Sequence, residues 1–123
     1  MRRVPLSEMT VEQLVDRFTA ITSEQDRAVR IDDNEKFKRL FWQMEAVKDE
    51  LKGREGDQRR ALLRLYHHPL AQVRMKAAIA TLALAPKDAR RVLESICDSN
   101  DFPQAGDAGM ALAMLDRGIF KPS

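Results

Sequence analysis

The sequence predicts an all-α protein of about six helices arranged in antiparallel pairs. Three observations carry this. Apolar residues recur at helical spacing along nearly the whole chain. No stretch alternates with period two over more than a few residues, so no strand is predicted. Gly and Pro number five each and stand mostly at the ends of the periodic segments. With 44% hydrophobic and 33% charged residues, the 123-residue chain has the balance of a soluble globular protein rather than a disordered one. The length predicts a single domain over 1–123, with residues 1–9 as an N-terminal arm.

Thr10 reads as an N-cap, and Gln13 completes a capping box. Val11, Leu14, Phe18, Ile21, Ala28 and Val29 then define helix one, about 10–30, with Gln25 on the same stripe and expected to be buried with a partner. Asp32 and Glu35 read as a second capping box. Helix two follows at about 33–52, on the stripe Phe37, Leu40, Phe41, Met44, Val47 and Leu51. Asp57 is expected to cap helix three, about 57–67, with Leu62, Leu63, Leu65 and Tyr66 inward and Arg59, Arg60 and Arg64 largely outside.

Pro69 disfavours helix in the residue before it and separates helix three from helix four, about 70–84. Helix four is apolar nearly all round, which predicts a central helix packed on several faces. Pro86 suits the first turn of helix five, about 86–98, whose inward residues are Ala89, Val92, Leu93, Ile96 and Cys97. Asp101 and Gln104 read as a third capping box, opening a helix six of about 102–117 rich in small residues and closed by Gly118.

The stretch His68-Pro69-Leu70-Ala71-Gln72-Val73-Arg74-Met75-Lys76-Ala77-Ala78-Ile79-Ala80-Thr81-Leu82 resembles the second helix of a HEAT repeat, through Pro69, Val73, Arg74, Ala77, Ala78 and Leu82. A shift of 33 residues sets Ala78, Ala80 and Leu82 on Ala111, Ala113 and Leu115, a partial echo in which Gly106-Asp107 replace Val-Arg. The chain as a whole, including its ending Pro103-Gln104-Ala105-Gly106-Asp107-Ala108-Gly109-Met110-Ala111-Leu112, resembles a family of short uncharacterised bacterial proteins with HEAT/armadillo-like helical repeats. The resemblance implies a short HEAT-like right-handed α–α superhelix. It also implies binding of other proteins through stacked helix pairs, or in some members of nucleic acid, with Arg74 bonded to nearby acidic or backbone groups.

Charge is unevenly distributed. Residues 1–51 carry a net −2, residues 52–91 a net +7 and residues 92–123 a net −3. The lone Cys97 excludes an internal disulfide and a cysteine-based zinc site, and it reads as a buried thiol. No apolar run approaches a membrane span and no secretory leader is evident, so a cytoplasmic location is expected.

Two surfaces stand out as contact candidates. Trp42 falls off the apolar stripe of helix two onto a face shared with Lys38, Arg39, Glu45 and Asp49, where an aromatic serves as a contact anchor unless another segment covers it. Arg59, Arg60, Arg64 and Arg74 form a basic stretch suited to an acidic protein surface or to phosphates. Asp107 is expected to pair with Arg74. Of His67 and His68, one is expected to cap the last turn of helix three and the other to face water, rather than bind metal. No nucleophile elbow, phosphate loop or acid/base pair is present, so no catalytic residues and no cofactor are expected. The expected function is a non-catalytic protein–protein interaction module, with an inhibitory or immunity-type protein as one specific form. The alternative is nucleic-acid binding through residues 52–91. No membrane partner is expected, and homo-oligomerisation through Trp42 stays open.

Overall fold

The computed structural model describes residues 4–123, so Met1 to Arg3 of the expected arm lie outside the described residues. The described residues form five α-helices and no strand: α1 (Val11–Arg30), α2 (Asn34–Gly53), α3 (Ala71–Thr81), α4 (Pro86–Cys97) and α5 (Gln104–Asp116). Two 3₁₀ segments, Leu6–Glu8 and Gln58–His67, complete the helical content. The predicted all-α class is thus what the chain adopts. The chain divides into two compact units, Met1–Ala61 and Leu62–Ser123.

The first unit is a helical hairpin. Thr10 caps α1 as expected: its hydroxyl accepts from the Gln13 N–H, and the Gln13 amide oxygen accepts from the Thr10 N–H. Only three residues join α1 to α2, so the two helices run antiparallel. Leu14, Phe18 and Ile21 of α1 and Leu40, Met44, Val47 and Leu51 of α2 are buried. Gln25 is buried among them, its amide donating to Met44 Sδ at 3.6 Å. At the open end, Arg54 Nε donates to Glu50 at 3.0 Å, and Nη2 donates to the Leu6 carbonyl at 3.1 Å, tying the arm to the end of α2.

The link between α1 and α2 corrects one expected cap. Asp33, not Asp32, caps α2, its carboxylate accepting from the Lys36 N–H at 3.1 Å. Asp32 is left-handed (φ 57°) because it closes α1: its N–H donates to the Val29 carbonyl, and the Asp33 N–H donates to the Ala28 carbonyl. That bond pair is the usual helix-closing motif, with an aspartate in the place glycine most often takes.

The segment read as an α-helix over 57–67 is instead a ten-residue 3₁₀ helix. Its buried residues Arg59, Leu62 and Leu65 recur every third position, the period of a 3₁₀ helix. Asp57 precedes it in a left-handed conformation (φ 52°).

The second unit is built around α3. Ala71, Gln72, Val73, Met75, Ala77, Ala78, Ala80 and Thr81 are all buried, as expected for a helix apolar nearly all round. Ala89, Leu93 and Ile96 of α4 and Ala108 of α5 share its core. Gln104 donates to Gln72 at 3.1 Å, joining the start of α5 to α3 inside the core. Gln104 therefore completes no capping box with Asp101; Pro103 precedes α5 with no side-chain cap. An added Cβ at Gly109 would lie 3.3 Å from Cys97 Sγ, so glycine permits the close contact of α5 with α4. Arg90 on α4 meets Asp116 at the end of α5 through two hydrogen bonds, of 2.9 and 3.1 Å. Gly118 (φ 71°) ends α5, with its N–H donating to the Leu115 carbonyl and the Ile119 N–H to the Met114 carbonyl.

Candidate functional site

Trp42 is 64% exposed on α2. Helical spacing explains this: Leu40 and Met44 are buried, and Trp42, two residues from each, falls about 200° away on the other side of the helix. Its ring meets the edge of Phe41, with centroids 5.1 Å apart and planes at 78°. A large indole thus stands in solvent with its outer face open. The described residues of the arm meet the far end of α2, through the bond from Arg54 to the Leu6 carbonyl.

The charges beside Trp42 are unequal in their commitments. Lys38 and Arg39 are exposed, and neither side chain makes a hydrogen bond or ion pair among the described residues. Glu45, one turn on, is held by Lys48, which also reaches Asp49 at 3.6 Å. The unmet charge immediately flanking the indole is therefore positive on the N-terminal side of the helix.

The basic stretch is less open than its composition suggests. Arg59, expected on the outside, is only 5% exposed. Its Nε and Nη2 donate to the two carboxylate oxygens of Asp57 at 2.9 and 2.6 Å. Those hydrogen bonds hold the Asp57 carboxyl below its ordinary value. Position decides this outcome, because Arg59 falls on the same three-residue row as Leu62 and Leu65. Arg60 and Arg64 are exposed, as expected. Arg74 is half-buried, its Nη1 donating to the carbonyls of His68 and Pro69 at 2.8 and 2.9 Å. It binds backbone, as the repeat resemblance implied, and not Asp107, which is exposed on α5. Of the six expected contact residues, Trp42 and Lys38 share one helix face. Arg59 is withdrawn into a pair, and Arg74 is engaged with the backbone.

The histidine pair meets expectation in part. His68 Nδ1 accepts from the Leu70 N–H at 3.0 Å, at the entry to α3, rather than capping the segment before it; His67 is exposed. Among the described residues no group of three His, Cys, Asp or Glu is placed to hold a metal ion. No helix among them is long and apolar enough to cross a membrane.

Two features were not read from the sequence. One is a groove of about 580 Å³ in the first unit, lined by the arm residues Val4, Pro5, Leu6 and Met9 and by α1 and α2, with Arg17 and Gln43 as its polar members. Nothing in a one-dimensional pattern shows how an arm lies on a hairpin. The other is an exposed face of α5 that includes Gly106, Met110 and Ala113.

Comparison with known proteins places this fold. The chain matches a domain of unknown function, DUF2019, over residues 12–116. The chain belongs to this family. The DUF2019 match extends over most of both units, includes every expected contact residue and ends at the last residue of α5. The crystal structure of the protein RPA1889 from Rhodopseudomonas palustris CGA009 is similar at 51% identity and a TM-score of 0.93, over 98% of this chain and all of that one. No curated protein matches. The expected likeness to a family of short bacterial proteins is met by these two findings.

Proposed function

We propose that this DUF2019 protein is a non-catalytic binding module that docks an acidic surface of another protein on the outer face of α2. The single observation that carries the reading is the exposed indole of Trp42, flanked by the unengaged cations Lys38 and Arg39. Trp is enriched among the residues that dominate binding energy, because it buries a large rigid area and retains one hydrogen-bond donor. A cation left without a partner gains most when an acidic group arrives as the surrounding water is expelled.

The Arg74 bonds to the His68 and Pro69 carbonyls support the finer reading of a short HEAT-like right-handed α–α superhelix, a scaffold used mostly to bind proteins. A cytoplasmic location belongs to the same proposal. An inhibitory, immunity-type role is its most specific form.

The test is affinity capture from lysate of the source organism after nuclease treatment, with wild type, Trp42→Ala and Lys38→Glu as baits. A stoichiometric protein retained by wild type, lost with Trp42→Ala and weakened by Lys38→Glu is the expected result. The loss at Trp42 should correspond to about 2 kcal/mol or more of binding energy. Trp42 is the single tryptophan, so its emission should shift to shorter wavelength when the purified partner is added. Retention unchanged by Trp42→Ala would overturn the proposal. Release of the bound material by nuclease would transfer the function to the basic stretch.

A further inference from the structure

The three large hydrophobic residues most exposed in the second unit are Phe102 (67%), Met110 (60%) and Ile119 (60%), just before, within and just after α5. They are not scattered. On a helix of 3.6 residues per turn, Gly106, Met110, Ala113 and Arg117 fall on one side, opposite the buried Gln104, Ala105 and Ala108. Phe102 joins that side, since its ring lies 3.9 Å from where a Cβ on Gly106 would stand. Gly106, Met110 and Ala113 are all exposed. The face is therefore apolar along its length, with small residues on either side of one flexible methionine. Clustering of this kind marks an interaction surface more often than isolated exposed residues do.

The charges bordering the face say what fits it. Asp107 lies in the first turn of α5 and Arg117 just past the last turn. Both are exposed, and neither side chain has a hydrogen bond or ion pair among the described residues. They are ten residues apart, about 15 Å along the axis. Two copies of α5 laid antiparallel about a two-fold axis level with Leu112 bring each Arg117 beside Asp107 of the other copy. The same operation sets Met110 of one copy against Met114 of the other. It carries Phe102 toward the second copy's exposed residues beyond Gly118. The helix dipoles oppose one another, and the small Ala113 beside the two-fold axis leaves room for the facing helix. An acid at one end and a base at the other make the face complementary to itself. That is what a closed, isologous pair requires.

We infer that the outer face of α5 is a self-association surface on which a second copy of this chain docks antiparallel, with Asp107 and Arg117 as reciprocal partners around Met110. This surface lies on a different helix from Trp42 and does not depend on the function proposed above. A 13-residue helix face buries on the order of 1,000 Å² in total, at the lower edge of specific interfaces, so a weak, concentration-dependent pair is expected.

Sedimentation velocity of the full chain from about 5 µM to 1 mM tests this. The expected result is a single monomer–dimer transition. Met110→Glu should leave a monomer throughout, with a melting temperature equal to that of wild type in dilute solution, where both are monomers and the site is exposed. Asp107→Arg and Arg117→Asp should each raise the dissociation constant about tenfold, and the double exchange should return it to within about threefold of wild type. A monomer at every concentration overturns the inference, as does growth beyond a dimer. It is equally overturned if the dimer survives Met110→Glu, if it is abolished by Trp42→Ala, or if the double exchange does no better than the single ones.

Discussion

Helices α3 and α5 look alike as sequence and differ as structure. Both are apolar on nearly every side and rich in small residues. In α3 that character is matched by surroundings: eight of its 11 residues are buried. In α5 only Gln104, Ala105 and Ala108 of 13 are buried, and the opposite side meets solvent. An apolar surface reports a demand for cover without naming what supplies it. For α3 the chain supplies the cover; for α5 it leaves a face for something else.

The largest expected effect sharpens this contrast with a matched pair of substitutions. Met75→Ala in α3 should destabilise the protein by about 2–4 kcal/mol, since it opens a cavity in a filled core. Met110→Ala in α5 should change stability by less than about 0.5 kcal/mol. Thermal and urea denaturation read both, and equal losses would break the comparison.

The same distinction between satisfied and open groups divides the arginines. Arg59→Ala should cost about 2 kcal/mol near neutral pH, because a buried, doubly bonded guanidinium is lost from Asp57. Arg60→Ala should cost less than about 0.5 kcal/mol. The Arg59 effect should depend on pH. The Asp57 carboxyl is held below its ordinary value of 3.8 in the folded chain. Its contribution is therefore present above the unfolded pKa and is lost as pH falls through the lower folded value. Melting curves of wild type and Arg59→Ala should converge in acid, and a constant gap would contradict the pairing.

The smallest effects lie at helix ends. Helices α1 and α5 close with the same pair of backbone bonds, one through Asp32 and the other through Gly118. A left-handed aspartate is tolerated but strained, so Asp32→Gly should stabilise by about 0.5 kcal/mol and Gly118→Ala should destabilise by about 1 kcal/mol. Small shifts in melting temperature of opposite sign check both.

Much of this was legible in the sequence wherever one local rule decided the outcome. The Thr10–Gln13 box, the stripes of α1 and α2, the burial of α3 and the exposure of Trp42 each follow from spacing within a single helix. The departures arise where two rules compete for one residue. Asp32 is an acceptable N-cap, yet it is needed one position earlier to close α1. Gln104 stands at capping-box spacing from Asp101, yet its amide is engaged with Gln72 in the core. Over 58–67, Leu62 and Leu65 suit an α-helix and a 3₁₀ helix alike. Only the burial of Arg59, three residues before Leu62, separates the two, and an arginine carries no apolar signal. The open face of α5 escaped because small residues pack equally well against a neighbouring helix or stand in solvent, so their spacing marks no inner side. A sequence pattern does not show where the supply of neighbouring helices ends.

Methionine oxidation footprinting compares the two helices most directly, with mass spectrometry following Met75 and Met110 in one sample at about 5 µM and at about 1 mM. Met75 should resist oxidation at both concentrations. Met110 should react readily in the dilute sample and become protected in the concentrated one, as a second copy covers α5. Equal reactivity of Met110 at both concentrations, or ready oxidation of Met75, would contradict the account.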